Sequence, residues 1–568
     1  MIAMIEHASP ISGIAAYKSD YVATAGYDNF LLLWNPKNKQ CIAKAVHDHL
    51  ANQCSFSSCG KYLVSSSSDY TARLWEIPTL KLLAVFADQR DDVEMTVINH
   101  QSKLVATASR DKFVRIYDVE GKLKHRLEGH TADVISVEWL NNRNEVISSS
   151  DDGTVKRWNA ETGDLLENYD LDGVETDTIA ISKEGIIYAG NDEGEIIIIG
   201  DPEKKYVKAH NAGIKRLAYN SERQALASLS YDRTLKIWQV TTDGSLELKA
   251  SANLPQIVWP RSCTFIGDSQ IVFGTFGTSY AVYNYKSSTW DLKSINPTSG
   301  LNAVTPYRDG YLAVGDAGII FQDGNKLIEL GSLCNFLTQF GATVVSGGQS
   351  GQIFDALSGK VLHQHRSPLN CGATFYKDGA IHLIVGTYTG EGLVFKQDNS
   401  RNIFFVDEIK LHKNAIKGIA CSKDTIFSVC ADTSAAFHSI DDFSCLKYVE
   451  QAHNKIANGC AFLPDNQFAS ISRDLHLRIW KEFEIEKIAT PHTHSIKCIA
   501  SSKEGHYLAT ASYNGRIAIY CVTSREWIIV ERPTTAGISS LAFDSINNQF
   551  LASSYDGKVY KISVPSES

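Results

Sequence analysis

An aspartate followed six residues later by a large aromatic recurs along this chain. Asp28 precedes Trp34, Asp69 precedes Trp75, Asp152 precedes Trp158, Asp232 precedes Trp238 and Asp474 precedes Trp480. Tyrosine fills the slot after Asp111 (Tyr117) and after Asn514 (Tyr520). A histidine stands 21 or 22 residues before the aspartate in five units, at His7, His47, His130, His210 and His453. Five of the nine tryptophans sit in this one slot, so coincidence does not explain it. Between Gly129 and Asn159 runs of apolar residues (Val134, Val137, Trp139) and small hydroxyls (Ser148, Ser149, Ser150) are separated by turn residues such as Asp152-Gly153. Short alternating runs between turns predict an antiparallel β meander. A fixed period means that one unit cannot bury its own apolar face and must stack on the next.

Marking the turn between the second and third strand of each unit gives Asp28, Asp69, Asp111, Asp152, Glu193, Asp232, Gly277, Ala317, Ser350, Thr389, Asp432, Asp474, Asn514 and Asp556. These fourteen units are mostly 39 to 45 residues apart, with one short step of 33 from Ala317 to Ser350. Units seven to ten, roughly 255–400, lack the His, Asp and Trp slots and are read from alternation alone. The His, Asp and Trp positions and the Gly129-His130 pair resemble the WD40-repeat family of β-propellers. The dipeptide that names the family is worn, since Asn35, Glu76, Asn159, Gln239 and Lys481 follow the tryptophans.

The resemblance implies an all-β chain of two tandem seven-bladed WD40 propellers with four-stranded antiparallel blades. The expected division is 7–297 and 298–568, with the turn-rich Asn296-Pro297-Thr298-Ser299-Gly300 between them. The last unit ends at its third strand, so residues 1–6 are expected to supply a strand that closes the last blade of the second propeller. The resemblance also implies a hydrogen-bonded chain of His, a second-strand hydroxyl, Asp and Trp in each blade. In unit four its members are His130, Ser148 or Ser150, Asp152 and Trp158. A histidine beside an aspartate also suggests a hydrolase triad. Five copies on separate blades speak against that, because an enzyme needs one site.

In this family one face carries the loops before the first strand and the turns after the second, and partners bind there. The residues just before those turns, together with Trp259 and Arg261 ahead of unit seven, give Tyr27, Arg110, Tyr231, Phe276, Trp259, Arg261, Tyr388, Arg473, Tyr513 and Tyr555 as candidate partner contacts. Tyr, Trp and Arg are the types that dominate interface energetics, although aromatics also suit strands in general. Acidic stretches at Asp88…Glu94 and Asp164…Asp177 fit either a basic partner or a solvated surface.

Chemistry of other kinds is missing. The Gly-Lys pairs at 60–61, 121–122, 359–360 and 557–558 lack the rest of a phosphate-binding loop, and neither HExxH nor GxSxG occurs. His-x-His at 47/49, 363/365 and 492/494 has strand spacing suited to a metal, but His47 and His492 fall in the repeat's own slot. No catalytic residue, metal site or cofactor is expected. Fifty-five basic residues against 64 acidic ones make direct nucleic-acid binding an unlikely use. No apolar run approaches the roughly 18 residues of a membrane span. Twelve cysteines without a CxxC pair suit a reducing, cytoplasmic setting. The expected function is a non-catalytic scaffold or adaptor that holds one or more proteins in a complex. Alternatives are a cytoskeletal double propeller like the actin-interacting protein 1 family, a subunit of a prokaryotic signalling or defence complex, a ribosome-biogenesis or RNA-processing scaffold and, in another class, an enzyme with its site at a channel mouth.

Overall fold

The computed structural model describes residues 5–140, 143–200, 204–398 and 402–565. Among these residues there is no helix; the chain forms fourteen antiparallel sheets in sequence order. We number them blades 1 to 14 and letter the strands of each A to D. Thirteen blades have four strands, and blade 14 has three among the described residues. The chain divides into two compact units, 1–298 and 299–568, with blades 1–7 in the first and 8–14 in the second. In the first unit, strand A of blade 1 (Ile11–Tyr17) packs between strand A of blade 2 (Ala51–Phe56) and that of blade 7 (Val258–Ile266), which closes a seven-bladed ring. In the second, strand A of blade 8 (Leu301–Tyr307) packs between those of blade 9 (Cys334–Phe340) and blade 14 (Ile538–Asp544). Each unit is a seven-bladed β-propeller.

Every turn marked in the sequence falls between strands B and C of its blade, including those of units seven to ten. The short step of 33 residues is a real blade: strands C and D of blade 8 are only Ile319–Gln322 and Asn325–Glu329, joined by Asp323 and Gly324. Residues 2–4 of the expected closing strand lie outside the described residues, and Ile5 and Glu6 are described without strand structure. That strand remains a proposal.

The inner strands are buried on both faces, because a blade lies on either side of them. This is why strand C of blade 5, Glu195–Ile199, reads as an unbroken run of isoleucines. The outer strands face water and are mostly exposed, as in Leu165–Asp170 of blade 4. The cores lie between blades: Met95, Val97, Ala106 and Ile116 of blade 3 pack against Val134, Val137, Trp139 and Trp158 of blade 4.

The repeated polar residues form the expected chain and resolve the serine ambiguity. In blade 4 the Trp158 indole donates to Ser148 Oγ (2.8 Å), and that hydroxyl meets His130 Nε2 (2.8 Å). His130 Nδ1 lies 2.9 Å from Asp152. Ser150 serves the turn instead, accepting from the Asp152 amide. A neutral ring that donates from Nδ1 and accepts at Nε2 satisfies every partner in this chain. Burial pushes the His130 and His47 rings down, and their hydrogen bonds hold Asp152 and Asp69 well below the usual carboxylate range. Blades 1 and 2 repeat the arrangement with His7, Thr24, Asp28 and Trp34, and with His47, Ser65, Asp69 and Trp75. Blade 6 does so with His210, Ser228 and Trp238, while Asp232 stands off at 3.5 Å. Blade 12 departs from the pattern: His453 and Trp480 share Ser470, but Asp474 is taken by the Arg478 guanidinium. The aspartate there pairs with a full positive charge rather than a neutral ring.

Candidate functional site: the two channel mouths

One irregularity repeats in all fourteen blades. The A–B pairing slips by one or more residues just after the start of strand A, for example between Ile11 and Gly13, Val134 and Ser136, and Ile496 and Cys498. A bulge re-aims the side chain it displaces. The bulged positions are Ser12, Asn52, Glu94, Ile135, Asp177, Lys215 and 259–262 in the first propeller. In the second they are Asn302, Asn335, Asn370, Lys417, Asn458, Lys497 and Ser539. They cluster with the residues just before the B–C turns, forming the mouth of each ring.

Most bulges serve one of two ends. Where it holds asparagine, the amide donates to the backbone carbonyl of the next blade's first strand residue. Asn52 reaches Val93 (2.9 Å), Asn302 reaches Cys334 (3.1 Å), Asn335 reaches Leu369 (2.8 Å), Asn370 reaches Ile416 (2.6 Å) and Asn458 reaches Ile496 (2.6 Å). These are stitches between blades. Where the bulge holds Glu94, Asp177, Lys215, Lys417 or Lys497, it supplies a charge to the mouth instead.

The first mouth has two sectors. In the charged one, Arg110 bridges Glu94 (2.5 Å) and Asp133 (2.6 Å), and Arg261 reaches the other Glu94 oxygen (3.3 Å). Lys215 bridges Asp177 and Asp192 and lies 4.9 Å above the Tyr231 ring. Burial and then mutual repulsion push the Asp151 and Glu175 carboxyls well up; burial also raises Asp133 and Asp177 against the pull of Arg110 and Lys215. Burial works against the charges on Arg110 and Lys215, but the surrounding carboxylates outweigh it and hold both firmly protonated. Asp151 Oδ1 is buried without a hydrogen-bond partner among the described residues. In the aromatic sector Trp259 packs edge-on to Tyr27 (5.2 Å) and against Phe276 (5.3 Å), with the Arg261 guanidinium 5.5 Å from its ring.

Two expected contacts need correction. Trp259 is 7% exposed and Phe276 2%, so neither stands out as an anchor. The long bulge at 259–262 folds the indole inward, and the pair forms a floor under Tyr27. Tyr27, Tyr231, Arg110 and Arg261 are half-buried at the surface of the mouth. The sequence reading missed Glu94, Asp133 and Lys215 as mouth residues. Of the acidic stretches, Asp92, Glu94, Glu175 and Asp177 join this group, whereas Asp164 and Glu167 flank or lie on an outer strand.

At the second mouth Tyr388 lies under Lys417 (5.1 Å) and accepts from Gln349 Nε2 (3.3 Å). Arg473 and Lys497 each lie 5.9 Å from the Tyr513 ring, which stacks on Tyr555 at 6.4 Å. Gly537 makes room for this pair: a Cβ there would stand 2.9 Å from the Tyr555 ring.

Among the described residues, two groups have the composition of metal ligands. His412, with Cys430 and Asp432 beside it, has both ring nitrogens on serine hydroxyls, Ser434 and Ser428, at 2.8 Å. His365 lies near Glu391 and Glu408, but Glu391 is already held by Lys410 (3.0 Å), Arg366 (3.3 Å) and two threonine hydroxyls. Both histidines stand four residues before a strand A, where His130 stands in blade 4, and belong to the repeat.

A family model described as "WD domain, G-beta repeat" matches residues 39–76, 121–159, 201–239 and 485–521. The chain carries WD40 repeats. Each matched segment starts within three residues of the start of one blade's outer strand and ends on the third strand of the next, one residue past the aromatic slot (Trp75, Trp158, Trp238, Tyr520). Among curated relatives, a "Guanine nucleotide-binding protein subunit beta" of rice (Oryza sativa subsp. japonica) is 26% identical over 199 residues, 31% of this chain and 52% of that protein. "Target of rapamycin complex subunit wat1" of Schizosaccharomyces pombe is 26% identical over 246 residues, 40% of this chain and 76% of that one. "Target of rapamycin complex subunit LST8" of Saccharomyces cerevisiae is 24% identical over 240 residues, covering 33% and 79%. The chain spans about half the length of the rice relative it matches.

Proposed function

We propose that this chain is a non-catalytic scaffold whose propeller mouths hold protein partners within a complex, in a cytoplasmic setting. The observation that carries the proposal is the convergence at the first mouth of a charged sector (Glu94, Arg110, Asp133, Asp177, Lys215) with Tyr231 and Tyr27 above an aromatic floor. Half-exposed aromatics beside fixed charges suit recognition of another protein. Two relatives bear the names of complex subunits, which supports the reading. The histidine–aspartate pairs are consumed by blade structure in copy after copy, which argues against their use as catalytic dyads.

Affinity purification with mass spectrometry tests this, comparing the natural chain with a Tyr27→Ala, Arg110→Ala, Tyr231→Ala variant. A partner lost from the variant, with the unfolding temperature unchanged, supports the first mouth as the site. Recovery of every partner by the folded variant overturns it.

A further inference from the structure

In several blades the bulged residue finds its partner in the residue just before the B–C turn of the same blade. Asn52 donates to Ser68 Oγ in blade 2 (3.2 Å), Glu94 holds Arg110 in blade 3 (2.5 Å), and Asn302 donates to Asp316 in blade 8 (3.0 Å). Lys215 lies over Tyr231 in blade 6 (4.9 Å) and Lys497 beside Tyr513 in blade 13 (5.9 Å). The two positions touch, and their chemistry is matched.

Blade 4 breaks the match. Its bulge holds Ile135, which has no polar group to offer, and the residue before its turn is Asp151. Among the described residues the Asp151 carboxylate accepts no hydrogen bond and forms no ion pair, and its Oδ1 is buried. The neighbouring cations are committed elsewhere: Arg110 is shared between Glu94 and Asp133, and Lys215 between Asp177 and Asp192. Burial raises the Asp151 carboxyl, and Asp177, Asp133 and Asp192 raise it further against the pull of Arg110. A carboxylate withdrawn from water without a partner is unfavourable and is relieved by a cation brought from outside. Ile135 is half-buried at the position that touches Asp151's counterpart in the other blades, so it offers aliphatic surface beside the charge. Lysine and arginine have this form: an apolar stem that packs on such a surface and a charged head beyond it.

We infer that the first mouth takes an arginine or lysine side chain from a basic segment of a partner protein, with the head group on Asp151 and the stem along Ile135. The partner supplies in blade 4 the matched group that other blades carry themselves. A divalent metal fits less well. It needs several ligand atoms together, and among the described residues the groups with that composition lie at blades 10 and 11. The inference deepens the scaffold reading and rests on it.

The probe is a phage-displayed library of random twelve-residue peptides, panned on the full chain. The expected result is enrichment of peptides that carry Arg or Lys. Their affinity should fall at least about tenfold for Asp151→Asn and weaken as salt is raised. Since Asp151 has no partner to lose, that variant should unfold at no lower temperature than the natural chain. Ile135→Lys installs an internal cation beside Asp151 and should abolish binding of the same peptides, whereas Ile135→Leu should keep it. An Asp164→Asn, Glu167→Gln variant, altered on the outer side of blade 4, should bind as the natural chain does. Should one of the Asp151 and Ile135→Lys variants fail to fold, the other decides. Failure to enrich basic peptides overturns the inference, as do basic peptides that bind folded Asp151→Asn or Ile135→Lys as tightly as the natural chain. Calcium chloride that displaces the peptides and raises the unfolding temperature of the natural chain, but not of Asp151→Asn, overturns it in favour of a metal site. Partners that survive Asp151→Asn and are lost from the Tyr27, Arg110, Tyr231 variant would leave the scaffold reading intact and refute this one.

Discussion

Ser148 and Ser149 are adjacent on one strand, both fully buried, and the same substitution should have opposite effects on them. Ser148 Oγ accepts from the Trp158 indole and pairs with His130, each at 2.8 Å. Ser149 Oγ has no hydrogen-bond partner among the described residues. Ser148→Ala strands a buried indole N–H and a buried ring nitrogen where Trp158 is only 1% exposed. At about 1–2 kcal/mol for each stranded group, the loss should be about 2–4 kcal/mol. In a unit of this size that lowers the unfolding temperature by roughly 5–10 °C. Ser149→Ala removes a hydroxyl whose desolvation nothing offsets, so it should be neutral or stabilising by up to about 1 kcal/mol. Differential scanning calorimetry of the full chain gives both shifts, and hydrogen exchange in Val134–Asp170 assigns them to blade 4. Combining Ser148→Ala with Trp158→Phe, which takes away the stranded N–H, should cost about 1 kcal/mol less than the two changes summed. Equal shifts for the two serines, or strict additivity in the double variant, would refute the hydrogen-bonded chain as the reason for the repeat.

Further outcomes follow from the same reasoning. Asn458→Ala removes a buried stitch to the Ile496 carbonyl and should cost about 1–3 kcal/mol, with faster hydrogen exchange at the junction of blades 12 and 13. Burial pushes His412, His453 and His492 down to about 4, 3 and 4, so the folded rings stay neutral while the unfolded ones take up protons near pH 6.5. That stability is full above pH 6.5 and drains away as the pH falls towards 4. At pH 5 each histidine should cost about 2 kcal/mol, which the unfolding temperature of the second propeller measures against pH. Phe276→Ala empties part of the floor beneath Tyr27 and should cost about 3–5 kcal/mol, read by denaturant unfolding.

The blades were legible wherever chemistry repeats at a fixed spacing. Even blades 7 to 10, stripped of the His, Asp and Trp slots, were legible through alternation, because their strands keep the period of two that a pleated strand imposes on its side chains. The choice between Ser148 and Ser150 was not legible, since residues two apart share one face of a strand. His412 was not read as a repeat histidine, and His365 was read only as part of a His-x-His pair, because the repeat's spacing is measured to the aspartate. Counted from strand A, they fall in place with the others. The fourteen bulges left no mark, as displacing one residue changes neither composition nor period. With them went Glu94 and Lys215, and the asparagine stitches. Trp259 shows the remaining limit: an indole near a loop is equally compatible with a protruding anchor and a buried floor until the backbone path is known.

A bulge that holds asparagine fastens its blade to the next, and one that holds a lysine gives up that fastening. In the second propeller the asparagines lie in blades 8, 9, 10 and 12, and the lysines in blades 11 and 13. The second propeller is therefore not fastened evenly around its ring. The seams after blades 11, 13 and 14 have no asparagine stitch, Ser539 of blade 14 bonding instead to Ser553 of its own blade, and they are where this propeller should yield first under load or heat.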